Sequence, residues 1–333
     1  MLHYPEILCY ISYMRQIATC CCIFLTLASA GFYSCAAPKA VPGDPVPAEA
    51  AVSRPAPPPE VSESPRAEME MVMVQGGTFR MGSPRGTGLN IERPVHNVTL
   101  GDFLLGRYEV TQGQYFEITG KMPSSRKTNP EDDGPDGWMK LPVEMVSWYE
   151  ALVFCNKLSV MENLEPAYRI NGSANPDDWG EIPQVQMASP WNSPEVAAGA
   201  GGYRLPTESE WEYAARGGGG SKGHRYAGSD NPGHVSWYYA NSDNKSHEIG
   251  QKEPNELGLY DMSGNVMEWC WDWHGPYTAE AKDSPAGPPS GLDRVIRGGG
   301  WSYAVEYCQV AHRHYNHPFY RGVNLGFRVA RSL

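Results

Sequence analysis

Beyond residue 35 the chain has only three cysteines, Cys155, Cys270 and Cys308. An odd number in the body implies no complete disulfide framework, although one pair could still form. Positive charge is also scarce. There are 27 Lys and Arg against 38 Asp and Glu, for a net charge of −11 and an isoelectric point near 5.3. No broad basic footprint exists, which excludes binding to a nucleic-acid backbone. Long apolar runs are missing after the first 35 residues, and the mean hydropathy of −0.47 excludes a multi-span membrane protein. No repeat of 20–50 residues is evident, so the chain is not a solenoid. What is abundant is Gly (36), Pro (29), Tyr (19) and Trp (10). That mixture suits a loop-rich fold with an aromatic core and surface, not a helical bundle. The 333 residues suffice for one large domain or two ordinary ones.

Residues 1–35 read as an address, not as fold. Met14 and Arg15 offer a better start than Met1, with Arg15 as a short basic region. Ile17 to Ala30 is an apolar stretch of signal-peptide length, too short for a comfortable membrane span. It ends at Phe32-Tyr33-Ser34-Cys35, which resembles a relaxed bacterial lipobox. The resemblance implies cleavage before Cys35, lipidation of its thiol, and anchoring at the outer membrane or cell surface. An ordinary secretory signal cut nearby is the alternative. Residues 36–67 are rich in Pro and Ala around Pro57-Pro58-Pro59 and cannot bury a core, so they read as a semi-extended spacer.

Residues 68–333 read as one domain. Met71 to Val74 and Thr78 to Met81, separated by Gly76-Gly77, predict a hairpin. Val95 to Leu100 and Phe103 to Val110 are further strand candidates. Three helices carry explicit start signals: Thr111 before a helix that Gly120 stops, Ser147 with Glu150 before Trp148 to Met161, and Thr207 with Glu210 before Glu208 to Arg216. Cys155 recurs with Trp148, Leu152 and Leu158 at helical spacing and reads as core. Asn171 to Gly202 is a long irregular connection.

Several segments in one order resemble the formylglycine-generating-enzyme/sulfatase-modifying-factor family. They include V-Q-G-G-T-F-R-M-G from Val74, Y-E-V-T-Q from Tyr108, P-V-E-M-V-S-W from Pro142 and Y-R-L-P-T-E-S-E-W-E-Y-A-A-R from Tyr203. N-E-L-G-L-Y-D-M-S-G-N-V-M-E-W from Asn255, Arg297 to Trp301 and L-G-F-R-V-A from Leu325 complete the series. The resemblance implies an α+β, C-type-lectin-like fold with much irregular loop. Oxidase members of the family hold copper between two cysteines five positions apart, a soft thiolate pair suited to Cu(I). Cys308 matches the second position, but Tyr303 stands at the first and offers no thiolate. No catalytic residue and no required cofactor are therefore expected, and an envelope formylglycine-generating or related oxidoreductase is the alternative. The resemblance also implies a structural calcium ion held by the side chains of Asp261 and Glu268 and the carbonyls of Gly264 and Val266, a mixed oxygen cage fit for a hard cation. A turn in which Asp261 bonds nearby amides is the plainer alternative.

Within a region spanning about residues 297–330, Ser302 to Asn324 is dense in Tyr and His and has no Lys, Met or Trp. It resembles the variable region of proteins diversified by retroelements, in which template adenines are replaced at random, mostly in A-A-C codons. On that rule the variable, ligand-binding positions are Ser302, Tyr303, Tyr307, His312, His314, Tyr315, Asn316, His317, Phe319, Tyr320, Gly322, Val323 and Asn324. Glu306 and Gln309 cannot arise from that codon. Ala304, Val305, Cys308, Val310, Ala311, Arg313, Pro318 and Arg321 match fixed positions. Tyr, His, Asn, Ser and Gly also make adaptable binding surfaces. The expected partner is an unknown protein or glycan, with no nucleic acid, contact with membrane through the lipid alone, and a monomeric state. His312-x-His314-x-x-His317 also has a spacing that could ligate zinc, but no carboxylate or cysteine clearly completes the set.

Overall fold

The structure, a computed structural model, describes residues 68–125, 137–186 and 189–333. The leader, Cys35 and the spacer lie outside the described residues. In chain order the strands are β1 (Met71–Val74), β2 (Gly77–Met81), β3 (His96–Leu100) and β4 (Phe103–Gly106). Helices α1 (Gln112–Thr119) and α2 (Trp148–Met161) follow, then β5 (Tyr168–Arg169), β6 (Glu195–Val196) and β7 (Tyr203–Arg204). Next come α3 (Glu208–Ala215), the single turn α4 (Pro232–Val235), β8 (Met267–Trp273) and β9 (Lys282–Asp283). The chain ends with β10 (Arg294–Arg297), β11 (Arg313–Asn316), β12 (Leu325–Gly326) and β13 (Ala330–Ser332).

The three long helices start where their caps predict. Thr111, Ser147 and Thr207 each accept from the backbone N–H three residues on, and Gln114, Glu150 and Glu210 reach back in return. Each box satisfies two N–H groups that the first turn leaves free. Gly120 closes α1 in the left-handed region at φ 68°, where a residue without Cβ is unstrained.

The hairpin expected across Gly76-Gly77 does not form. β1 pairs with β4, and β2 pairs with β3, both antiparallel. Gly76 redirects the chain between two sheets: its N–H donates to Asp102 Oδ1 at 2.7 Å, and a Cβ there would collide with the carbonyl of Leu100. The turn residues are those of a hairpin, but the partner of each strand is chosen by burial further along the chain.

Two sheets of four carry most of the order among the described residues, β1-β4-β13-β7 and β11-β10-β8-β12. β8 and β10 separate two buried clusters. Met267, Trp269 and Ile296 face a core built on α2, with Trp148, Leu152, Phe154, Cys155 and Phe327. Cys270 and Val295 face a second core with Trp211 and Ala214 of α3. A strand covered on both faces reads as a nearly continuous apolar run, and six of the seven β8 residues are buried.

Buried charge ties the layers together. Glu208 and Glu212 of α3 receive Arg297 and Arg313, and Arg297 contacts both carboxylates at 3.0 and 2.7 Å. Arg328 holds Glu268 with two bonds of 2.6 Å, both residues fully buried.

Candidate binding face

Arg297 ends β10, and β11 returns antiparallel beside it, with Arg297 opposite Arg313 and Arg294 opposite Asn316. Between them, and again between β11 and β12, the chain makes two irregular excursions. Their neck is closed. Trp301 N–H donates to the carbonyl of Asn265 at 2.7 Å, and Met267 N–H donates to that of Asn324 at 2.8 Å. The side chains of Ser302 and Asn324 meet there at 2.6 Å.

The residues expected to be fixed and those expected to vary differ in depth only in part: of the fixed ones Ala304 is exposed and Val305 and Arg321 are half-buried. Cys308, Val310, Ala311, Arg313 and Pro318 are buried. Tyr307, Tyr315, Tyr320 and Val323 are exposed, and Ser302, Tyr303, His314, Asn316, His317 and Phe319 are half-buried. The aromatic ones touch: Tyr303 meets Tyr307 at 5.6 Å and His314 at 6.3 Å between ring centres, and His317 stacks on Phe319 at 5.3 Å.

Three expected contact positions lie inside. Gly322 and Asn324 are buried, Asn324 because it closes the neck. His312 is buried and meets the buried Glu92, Nδ1 to Oε1 at 3.2 Å. Its partner sits in a loop far away in sequence, so its codon class says nothing of its depth. Trp301 is only half-buried, and its indole N–H donates to the carbonyl of Val323 at 3.3 Å.

Two residues outside the segment belong to the same surface. Tyr239 is 66% exposed, and its N–H donates to the carbonyl of Tyr303 at 2.9 Å. His274 stacks on Tyr315 with ring centres 4.0 Å apart. Neither has a local sequence signal, since only the fold brings each to the segment.

The possible chemistries can be tested residue by residue. Burial pushes the Cys308 thiol up to about 12, so it is a thiol and a poor nucleophile or soft ligand near neutrality. The three histidines of the zinc-like spacing go separate ways: His312 to Glu92, His314 Nδ1 to the N–H of Tyr315, and His317 to Asp293 at 2.9 Å. No group of three or more His, Cys, Asp or Glu side chains among the described residues is placed to hold a metal ion. Of the donors assigned to calcium, Asp261 accepts the N–H of Gly250 at 2.7 Å through Oδ2, and its Oδ1 is buried without a hydrogen bond. Glu268 departs from the expectation. Both its oxygens accept from Arg328, and Oε2 also accepts from the indole of Trp211. Asp261, Gly264, Val266 and Glu268 therefore do not present the expected open oxygen cage, because the second carboxylate is already matched by a guanidinium.

Residues 57–333 match the model of the sulfatase-modifying factor enzyme 1-like domain. The solved structure of Treponema denticola variable protein 1 superposes with a TM-score of 0.71 at 37% identity, covering 78% of this chain and 94% of that one. A chaperone protein LppX of Paenibacillus barcinonensis is 36% identical over 79% of this chain and 89% of its own length. The formylglycine-generating enzyme of Streptomyces coelicolor is 33% identical over 86% and 95%. The chain belongs to the formylglycine-generating-enzyme/sulfatase-modifying-factor family and has its C-type-lectin-like fold.

Proposed function

We propose that this protein is a lipid-anchored display scaffold whose Ser302–Asn324 face binds a protein or glycan ligand and is diversified by a retroelement, with no catalytic role. One observation carries this reading. Ten of the thirteen positions assigned to variation are solvent-accessible, while five of the eight fixed positions interleaved with them are buried. Random replacement is then harmless to the core at most sites, and aromatic side chains supply contact area at small entropic cost. The likeness to a Treponema variable protein supports the same reading. The test is sequencing of this coding segment across a population, together with its genomic neighbourhood. Changes confined to the assigned codons, with a near-copy template beside a reverse transcriptase, are expected. An invariant segment without a template copy would overturn the proposal. Anchoring is tested separately: Cys35→Ala should abolish labelling by a fatty-acid probe and release the protein, and unchanged labelling ends that part of the reading.

The enzyme relatives favour a second reading, an oxidoreductase of the formylglycine-generating type. Tyr303 and the buried, protonated Cys308 speak against it. Copper-loaded protein with a cysteine-containing sulfatase peptide should give no formylglycine. Turnover that disappears in Cys308→Ala would establish the enzyme instead.

A further inference from the structure

A cavity of about 360 Å³ opens where the N-terminus of α3, the end of β8 and the loop after it meet. Neither Tyr303, Cys308 nor any position assigned to variation lines it. Two of its charged walls are already satisfied. Glu208 accepts from Arg297, Arg313 and Tyr277. Arg313 donates to Glu208 and to the carbonyls of Ile91 and Gly275, and its guanidinium lies on the Tyr277 ring at 3.9 Å.

Asp272 is different. It is 3% exposed, and its Oδ2 accepts the N–H of Glu208 at 2.7 Å. That bond ties one carboxylate oxygen to the start of α3, and the carboxylate itself lines the cavity. Gly287, at φ 77°, lets the loop pass so close that a Cβ there would stand 3.2 Å from Oδ1. Trp273 and Tyr277 supply aromatic wall beside it. Asp272 thus lines a cavity of mixed character, with His96, Ser209, Lys282 and Arg313 beside the aromatic wall, and a concave site that sets a few convergent polar groups against aromatic side chains is the usual form of a small-molecule site.

We propose that this cavity is a second ligand site, apart from the positions assigned to variation, that takes a small organic amine, with the ammonium donating to Asp272 Oδ1 and the hydrocarbon against Trp273 and Tyr277. Aromatic faces favour a cation beside them. Burial, with Glu208 nearby, pushes Asp272 up to about 8, and an ammonium beside it would favour the ionised form. The groups around it are Glu208 and Glu210 of α3, Arg294 of β10, Arg313 of β11, Lys282 of β9 and His96 of β3. This site does not depend on the function proposed for the Ser302–Asn324 face.

The probe is n-butylamine, with n-butanol and butyrate as matched controls, read by thermal unfolding and calorimetric titration of the whole protein. Butylamine alone should raise the unfolding midpoint, and Asp272→Asn should weaken its binding by about tenfold or more, since a hydrogen bond to a charged group is lost. Affinity for the wild type should also rise from pH 6 to 9 as Asp272 ionises, which decides the matter if the variant does not fold. Equal binding of the controls, no binding of butylamine, an unchanged Asp272→Asn or a flat pH profile would each overturn the proposal. So would binding that appears only in Lys282→Ala, because Lys282 would then be the cation the pocket is built for.

Discussion

His312 and Glu92 form a buried contact between the C-terminal face and a loop 220 residues earlier. Burial alone would raise the Glu92 pKa, but hydrogen bonds from His312, Ser83 and the Leu89 backbone outweigh it and hold the carboxyl below 4.5. A carboxyl depressed in the folded state adds stability above its unfolded pKa and loses it as pH falls through the folded one. Glu92→Gln should therefore cost about 1–3 kcal/mol at pH 7 and flatten the loss of stability below about pH 4.5. Denaturant unfolding across pH 3–7 measures both effects, and an unchanged slope would remove Glu92 from the account. Arg328 is under a heavier demand. Besides its two bonds to Glu268 it lies in the field of the buried Glu109 and Asp261. Burial, then Asp261 and Glu268, raise Glu109 well above the carboxylate range. Arg328→Met leaves Glu268 buried and unpaired, at a cost of about 3–5 kcal/mol; a loss under 1 kcal/mol in urea unfolding would contradict this. None of these pairings was legible in the sequence, because each joins residues that only the fold brings together. Cys155 was, since its neighbours at helical spacing are themselves core.

At the scale of elements, legibility followed locality. A capping box spans four residues and satisfies its own backbone groups, so the boxes at Ser147 and Thr207 were readable, as was the cap at Thr111, and all three helices start there; that Gln114 completes a third box needed the structure. Strand pairing is less local: β1 finds its partner at Phe103–Gly106, beyond both β2 and β3, and there the reading of a β1–β2 hairpin failed although the turn glycines were present. α3 shows the limit from another side. All eight of its residues are buried, including Glu208, Ser209, Glu210 and Glu212, because arginines from β7, β10 and β11 and from its own C-terminus meet the acids. A polar helix surrounded by guanidinium groups has no amphipathic stripe to find. Its start nonetheless rests on Thr207, so Thr207→Ala should cost about 1 kcal/mol, measured by equilibrium unfolding. No loss would mean that the arginine pairs alone fix the helix.

For the molecule as a whole, framework and face should separate in a stability measurement. Changing Tyr307, Tyr315, Tyr320 and Val323 together to Ser should cost at most about 2 kcal/mol, at roughly 0.5 kcal/mol per exposed site. Phe327→Ala, fully buried against Tyr115 and Phe154, should cost about 3–5 kcal/mol. If the four-fold variant melts as early as Phe327→Ala, the exposed aromatics are framework after all. The family motifs marked the framework, and the composition of Ser302–Asn324 marked the segment proposed as the face; the depth of His312, Gly322 and Asn324 and the nearness of Tyr239 and His274 needed the coordinates. The closed neck has a further meaning. Both ends of the segment are held within three consecutive residues, Asn265 to Met267, so for the rest of the chain the segment is a ring returning to its starting point. The free energy of closing a flexible ring grows only with the logarithm of its length, about 0.6 kcal/mol per doubling. Insertions at the exposed Tyr307 or Tyr320 should therefore be absorbed without altering the path of β8, β10 or β12. The scaffold is in this sense indifferent to the length of the exposed loops it presents, whereas His312 and Arg313 moor the segment to Glu92 and Glu208, so segments from related chains should be exchangeable at Trp301 and Leu325 when they keep those two residues.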